Sequence, residues 1–221
     1  MRNAGFIVAM DGPAGVGKST LAKRTAQAFS IAYLDTGAMF RTIALFFGEK
    51  NISLEEAALN RILQGFTFAL SGFGATTCLM CNGRPVGDEI RSEEAGLAAA
   101  RIAQSSEVRA FLKKAQQDLG QRFSLVAEGR DMGTEIFPNA PYKFFLDARP
   151  EVRARRRALQ LRDMGHKADE REIAVQIARR DKEDRERPIA PLRPAPDALI
   201  IDTSDKNIEE VFQEIIKKIN P

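Results

Sequence analysis

Gly12-Pro13-Ala14-Gly15-Val16-Gly17-Lys18-Ser19 places two glycines around a four-residue spacer and follows them with a lysine and a hydroxyl residue. That spacing can cradle a chain of phosphates, because glycines let backbone N–H groups turn inward and a helix N-terminus adds the positive end of its dipole. Lys18 is placed to bridge β- and γ-phosphates, Ser19 to set its hydroxyl on Mg²⁺, and Thr20 closes the loop beside them. Such a loop implies a nucleoside triphosphate and leaves the second substrate open, since hydrolases and small-molecule kinases share it.

Three further groupings carry charge where a ligand could meet it. Asp35-Thr36-Gly37-Ala38-Met39-Phe40-Arg41 puts Thr36 and Arg41 just beyond a short apolar run, and an arginine one turn into a helix can grip a monophosphate with two N–H groups. A plain surface arginine would fit the same spacing. Glu128-Gly129-Arg130-Asp131-Met132-Gly133-Thr134 packs carboxylates, an arginine and two glycines after another apolar run; Arg130 could hold phosphate and Asp131 could accept from an amine or hydroxyl of the acceptor. Ile173, Ile177, Arg180, Asp184 and Arg187 recur at steps of three or four residues, so one helical stripe passes from apolar to charged on the side that faces the protein. An Arg180–Asp184 ion pair along the helix is the competing reading.

Arg149, Arg153, Arg155, Arg156 and Arg157 crowd another helical stretch, with Arg149, Arg153 and Arg156 on one face. Beside a phosphate loop these suit a lid that brings arginines over transferring phosphates; a solvated basic face or an RNA-contacting patch has the same composition. Cys78 and Cys81 lie in a strand-like run, where residues three apart point to opposite faces, so they read as two ordinary thiols. His166 follows Gly165 in a polar turn and reads as a surface residue.

The elements that must position these groups alternate along the chain. Gly5 to Ala9 reads as a buried strand, the helix after the glycine loop follows through Phe29, and Ile31 to Leu34 reads as the next strand. A helix through Phe40, Ile43, Ala44 and Phe47 follows, then one capped by Ser53 with Glu56. Phe66 to Leu70 and Thr76 to Cys81, joined through an Asn82-Gly83 turn to Arg84-Pro85-Val86, predict a small antiparallel insert. Helical patterns resume over Ala95 to Ala103 and Val108 to Leu119, the latter stopped by Gly120. Ser124 to Ala127, Tyr142 to Leu146 and Ala198 to Ile201 are the remaining core strands. Asp169 and Glu172 cap the helix that carries Arg180, and Pro188, Pro191, Pro194 and Pro196 stiffen a connector after it. Strands separated by helices predict a parallel sheet covered on both faces.

The chain has 221 residues, enough for one core with appendages, and its net charge of +3 is too small to argue bulk nucleic-acid binding. Its apolar runs are shorter than a bilayer span and no secretory leader follows Met1, so a soluble cytoplasmic protein without nucleic-acid or membrane partners is expected.

Taken together, Gly12 to Thr20, Leu34-Asp35-Thr36-Gly37-Ala38, the Glu128 to Thr134 run and Arg185-Glu186-Arg187-Pro188-Ile189-Ala190-Pro191-Leu192 resemble the bacterial cytidylate kinases, over nearly the whole chain. The resemblance implies a P-loop NTPase fold, three-layer α/β/α with a five-stranded parallel core sheet. The core would comprise 1–36, 104–150 and 188–221, an NMP-binding segment with the β insert 37–103, and a short helical lid with its flanking helices 151–187. It implies transfer of the γ-phosphate of ATP, with Mg²⁺, to CMP or dCMP by a monomer. Thr36, Arg41 and Arg130 would bind the CMP phosphate, Arg109 and Asp131 read cytosine, Arg180 and Asp184 hold the ribose, and Arg187 lie near phosphate and base. Lys18, Arg130, Arg153, Arg157 and Arg187 would be the catalytic set, with Asp35 a second candidate for the metal beside Ser19. Two positions depart from the family's pattern: Ala100 stands where other members have a base-reading serine, and Glu128 where many have aspartate. A kinase of UMP or AMP and an RNA-associated NTPase are the alternative readings.

Overall fold

Ile7 to Asp11 are buried without exception, as a strand with protein on both faces must be. The computed structural model describes residues 6–49, 56–163, 165 and 167–220; the strand start at Gly5, the cap at Ser53 and the reading of His166 concern residues outside that set. β1 (Ile7–Asp11), β2 (Ala32–Asp35), β6 (Leu125–Gly129), β7 (Tyr142–Asp147) and β8 (Leu199–Asp202) form a five-stranded sheet in the order β2-β6-β1-β7-β8, every pair parallel. Side-chain alternation along β1 divides the core in two. Ile7 and Ala9 join Met39, Ile43, Leu112 and Leu119 on one face, while Val8 and Met10 join Leu21, Ala22, Val211 and Ile215 on the other.

The first face is covered by α2 (Thr36–Glu49), α3 (Glu56–Leu63), α4 (Glu93–Ile102) and α5 (Ser106–Arg122), the second by α1 (Lys18–Phe29) and α8 (Ile208–Ile219). α6 (Pro150–Asp163) and α7 (Glu170–Glu186) make a helical pair with a small core of their own, Ala154, Ala158, Ile173 and Ile177. Among the described residues no helix is long and apolar enough to cross a membrane.

The insert is a second sheet of β3 (Phe68–Ser71), β4 (Cys78–Cys81) and β5 (Arg84–Pro85). Asn82 (φ 50°) and Gly83 (φ 74°) both take positive φ, as a two-residue hairpin turn requires. Cys78 and Cys81 are free thiols on β4. Between β3 and β4 a short 3-10 turn, Gly74–Thr76, lies along the outer side of β2: Gly74 N–H donates to the Ile31 carbonyl (2.8 Å), and Tyr33 N–H donates to Thr77 Oγ1 (3.1 Å).

Two boundaries differ from the sequence reading for identifiable reasons. β1 runs two residues beyond Ala9 because Met10 and Asp11 stay in register with Phe144 and Phe145 on one side and Glu128 and Gly129 on the other. α5 does not stop at Gly120; it continues to Arg122. Gly120 is a packing glycine, since a Cβ there would lie 2.6 Å from Phe137 Cε1 and 3.2 Å from Ile7 Cδ1.

Candidate active site

The sheet register brings the chemistry to one edge. Asp35 pairs with Glu128, and Asp11 with Gly129, so β1, β2 and β6 all deliver their C-terminal residues to a single cleft, where open parallel sheets bind ligands. The glycine loop follows β1. Gly12, Gly15 and Gly17 have φ of 149°, 81° and 91°, and at Gly12 a Cβ would collide with the Leu146 carbonyl at 2.1 Å; only glycine permits that turn.

Lys18 is buried and donates to the Pro13 carbonyl (2.6 Å), curling back over its own loop. Its pKa is lowered to about 7, first by burial and then by Arg130, against the pull of Glu128. Cations gathered so closely without an anion are costly, and a phosphate chain would offset them. Glu128, also buried, is shifted upward by burial and then by the Asp35 carboxylate, with Lys18, Tyr33 and Ser19 acting the other way. The Tyr33 hydroxyl donates to Glu128 Oε1.

On the acceptor side Arg41, Arg109, Arg130 and Arg187 already have carboxylates. Arg41 meets Asp35 at 2.9 Å, Arg109 meets Asp131, and Arg130 meets Asp184 at 2.7 Å. Arg187 lies 3.6 Å from Asp131 and 3.9 Å from Asp184. Burial works against the Arg130 charge, yet Asp184 outweighs it and the group is held above its ordinary value. The Arg187 guanidinium is pushed down by burial. Arg180 keeps solvent contact, and the protein crowded around it, followed by Arg130, lowers it to about 10. Asp184 turns to Arg130 rather than to Arg180, so the Arg180–Asp184 pair along α7 does not form. Thr36 is buried and donates to the Glu128 carbonyl (2.7 Å). Arg41 Nε and Arg187 Nη2 are buried without a hydrogen-bond partner among the described residues. Two orphaned cationic donors in one cleft are what an anionic acceptor would satisfy.

The basic helix behaves differently from its composition. Arg153 is 2% exposed and bonded through each of its three nitrogens, donating to Ala148 O (2.9 Å), Ala14 O (3.3 Å) and Asp181 Oδ2 (2.5 Å). Arg149 pairs with Asp205, and Arg156 donates to Thr203 Oγ1 and O. Of the face shared by these three, Arg153 and Arg156 thus point into the fold, while Arg149 stays exposed in its pair with Asp205. Arg157 donates to Gln160 on its own helix, near enough to Arg180 to depress that group's pKa.

Sequence reasoning missed Asp11. Buried at the end of β1, it accepts the Met132 and Gly133 N–H groups, both at 2.8 Å. Those amides open a π-turn over Met132–Ile136, so Asp11 anchors the segment that begins with Arg130 and Asp131. The only signal was a carboxylate abutting Gly12. Its pKa is pushed up to about 6, chiefly by burial and against the two amides. Native protein therefore holds this proton more tightly than the unfolded chain, whose carboxyl sits near 3.8, and Asp11 lowers stability as pH rises through that window. Asp11→Asn should gain on wild type by up to about 3 kcal/mol between pH 4 and pH 7, at about 1.4 kcal/mol per pKa unit; denaturant unfolding at the two pH values measures it, and a difference independent of pH would contradict it.

Among the described residues no group of three or more His, Cys, Asp or Glu side chains could hold a metal alone. A magnesium ion shared with phosphates needs fewer, one or two carboxylates and a hydroxyl. Ser19 is exposed at the loop, and the Glu128 carboxyl carries an upward shift that a cation would relieve. Asp35 is less available: Oδ1 accepts from Ala38 N (2.9 Å) and Oδ2 from Arg41 (2.9 Å).

A phosphate loop at the switch of a parallel sheet, facing an arginine-lined cleft, defines a P-loop phosphotransferase with an anionic acceptor. The family model for cytidylate kinase matches residues 8–221. The cytidylate kinase of Oleidesulfovibrio alaskensis is 56% identical over 214 residues, 97% of this chain and 98% of that protein. That of Maridesulfovibrio salexigens is 52% identical, covering 97% and 98%; that of Fervidobacterium nodosum is 45% identical, covering 95% and 94%. The chain belongs to the cytidylate kinase family, and it is a nucleotide-binding kinase.

Proposed function

We propose that the protein transfers the γ-phosphoryl group of ATP to CMP or dCMP, and that the cleft between the glycine loop and Arg41, Arg130 and Arg187 is where transfer occurs. One observation carries this: Asp11 pairs with Gly129, so the glycine loop that follows β1 and Arg130 that follows β6 leave adjacent strands at the same end of the sheet and their cations serve one space. A phosphate oxygen of CMP attacks the γ-phosphorus in line as the bond to ADP breaks. No general base is required, because a phosphate monoester has a second pKa of about 6 and is already a dianion at neutral pH. Gly12 to Thr20 hold the donor phosphates, and Lys18 neutralises charge between the β and γ positions. Arg41, Arg130 and Arg187 take the acceptor phosphate, with Thr36 beneath it; Arg109 and Asp131 meet the cytosine edge, Arg180 and Asp184 the sugar. Mg²⁺, when bound with ATP, neutralises charge on the donor phosphates; Ser19 and Glu128 are the residues that would hold it.

Among the assigned arginines, Arg153 acts through the protein. Each of its three guanidinium nitrogens donates internally, and it braces the loop at Ala14 against Asp181 on α7. The inward turn of Arg153 and Arg156, with Arg149 already paired to Asp205, also favours a small-molecule acceptor over RNA.

Purified protein given ATP and Mg²⁺ with CMP, dCMP, UMP, AMP or no acceptor tests the reading. CDP and dCDP should form, and CMP should be preferred to UMP by about 5- to 150-fold, the effect of about 1–3 kcal/mol in unpaired buried groups. Ala100 brings no side-chain hydrogen bond to the base, so this discrimination rests on Arg109 and Asp131. ATP consumption indifferent to the acceptor would refute the assignment.

A further inference from the structure

Three non-glycine residues among those described have positive φ: Ser30, Asn82 and Ala190. Ser30 closes the C-terminus of α1 and Asn82 sits in the hairpin turn. Ala190, at φ 51°, ends no helix and joins no hairpin. An L-alanine held there is strained, and such strain persists only where its surroundings impose it.

The turn has two visible results. The Ala190 carbonyl accepts from Arg187 Nε at 2.5 Å, and two residues on, Leu192 N–H donates to the Asp184 carbonyl at 2.8 Å. The chain therefore doubles back onto the end of α7 and clamps the two residues of that helix end that face the acceptor cleft. With Nε held, the Arg187 guanidinium keeps Nη1 3.9 Å from Asp184 and Nη2 3.6 Å from Asp131, and Nη2 has no hydrogen-bond partner.

We propose that Ala190 is a positioning residue: its left-handed backbone aims a carbonyl at Arg187 Nε and so presents the remaining guanidinium edge to the acceptor phosphate. The inference rests on the reading of Arg187 as a ligand of that phosphate. It assigns the requirement at position 190 to backbone conformation. Valine, branched at Cβ, is poorly suited to positive φ, whereas glycine takes it freely.

The test compares wild type, A190V, A190G, R187A and A190V/R187A for kcat and for KM toward CMP and ATP, with Tm recorded for each. A190V should lose at least tenfold in kcat/KM for CMP while KM for ATP stays within about twofold. The conservative A190G should recover to within about threefold of wild type, and in the R187A background A190V should cost nothing more, because the residue acts only through Arg187. NMR of the arginine side chains in wild-type protein supplies a readout independent of any variant's folding: the Arg187 Nε proton should exchange far more slowly than that of exposed Arg155. The proposal is overturned by A190V retaining wild-type kcat/KM, by A190G losing as much as A190V, by a full further loss in the R187A background, or by rapid exchange at Arg187 Nε. Wild-type behaviour of R187A would instead remove Arg187 from the acceptor site and leave the clamp without a catalytic purpose.

Discussion

Lys18→Ala should lower kcat by about 10²- to 10³-fold, the usual consequence of deleting one preorganised donor from charge that develops in a transition state. Backbone N–H groups of the loop, which the variant keeps, should leave KM for ATP within a few-fold. The same substitution should not destabilise the empty protein. Lys18 is buried with its pKa lowered to about 7 from an ordinary 10.5, so the native state holds this proton more weakly than the unfolded chain. Below pH 7 wild type must charge a buried amine to stay folded; as pH rises from 7 towards 10.5 that penalty disappears. Alanine removes it altogether, and the variant's advantage in Tm should be largest in mild acid and fade in alkali. Calorimetry across pH 6 to 10 with steady-state rates at one pH checks both halves, and a variant that loses rate and also melts lower at pH 6 would contradict the account of Lys18.

Arg153→Ala should be the most destabilising single change in the cleft. Its guanidinium is 2% exposed, and its partner Asp181 is 13% exposed with Oδ1 already lacking a hydrogen bond. Removing the arginine leaves a largely buried carboxylate uncompensated, which costs about 3–5 kcal/mol. For a chain of this size each kcal/mol lowers Tm by about 2–4 °C, so a drop of roughly 6–20 °C is expected. Replacing both partners by apolar residues, as in R153M/D181L, should restore most of the Tm because no orphaned charge remains. Activity should not return with it, since the link from Ala14 in the loop to α7 is gone. An Arg153→Ala protein that melts with wild type but has lost turnover would instead make Arg153 a direct ligand of phosphate.

How far these features could be read from sequence depended on whether their cause was local. The glycine loop, the Asn82-Gly83 turn and the alternation of apolar strands with helices are short-range patterns, and each lies where the spacing puts it. The cluster at Glu128 to Asp131 was legible because charge beside an apolar strand is conspicuous. Gly120 misled for the opposite reason. A glycine after a helical pattern usually marks a cap, and only the ring of Phe137, 17 residues on, shows that the missing Cβ is needed for packing. Asp11 and Ala190 left almost no trace, since one acts through amides 121 and 122 residues away and the other through a backbone angle. The arginines of α6 were visible as residues but not as directions; whether a guanidinium faces lid or interior is decided by Asp181 and Thr203, which come later in the chain.

The 3-10 turn of the insert also bears on the exposed margins of the sheet. β2 is the outermost strand on its side of the sheet, and a bare outer strand offers unpaired N–H and C=O groups to any other chain in extended form. Gly74 and Thr77 occupy the Ile31 carbonyl and the Tyr33 amide, so the insert closes that margin; the opposite one, β8, is a four-residue strand ending in Asp202, short and charged. Shortening the β3–β4 connection, an innocuous trim when judged from the nucleotide cleft, should expose a template for intermolecular pairing and lower the concentration at which the protein precipitates.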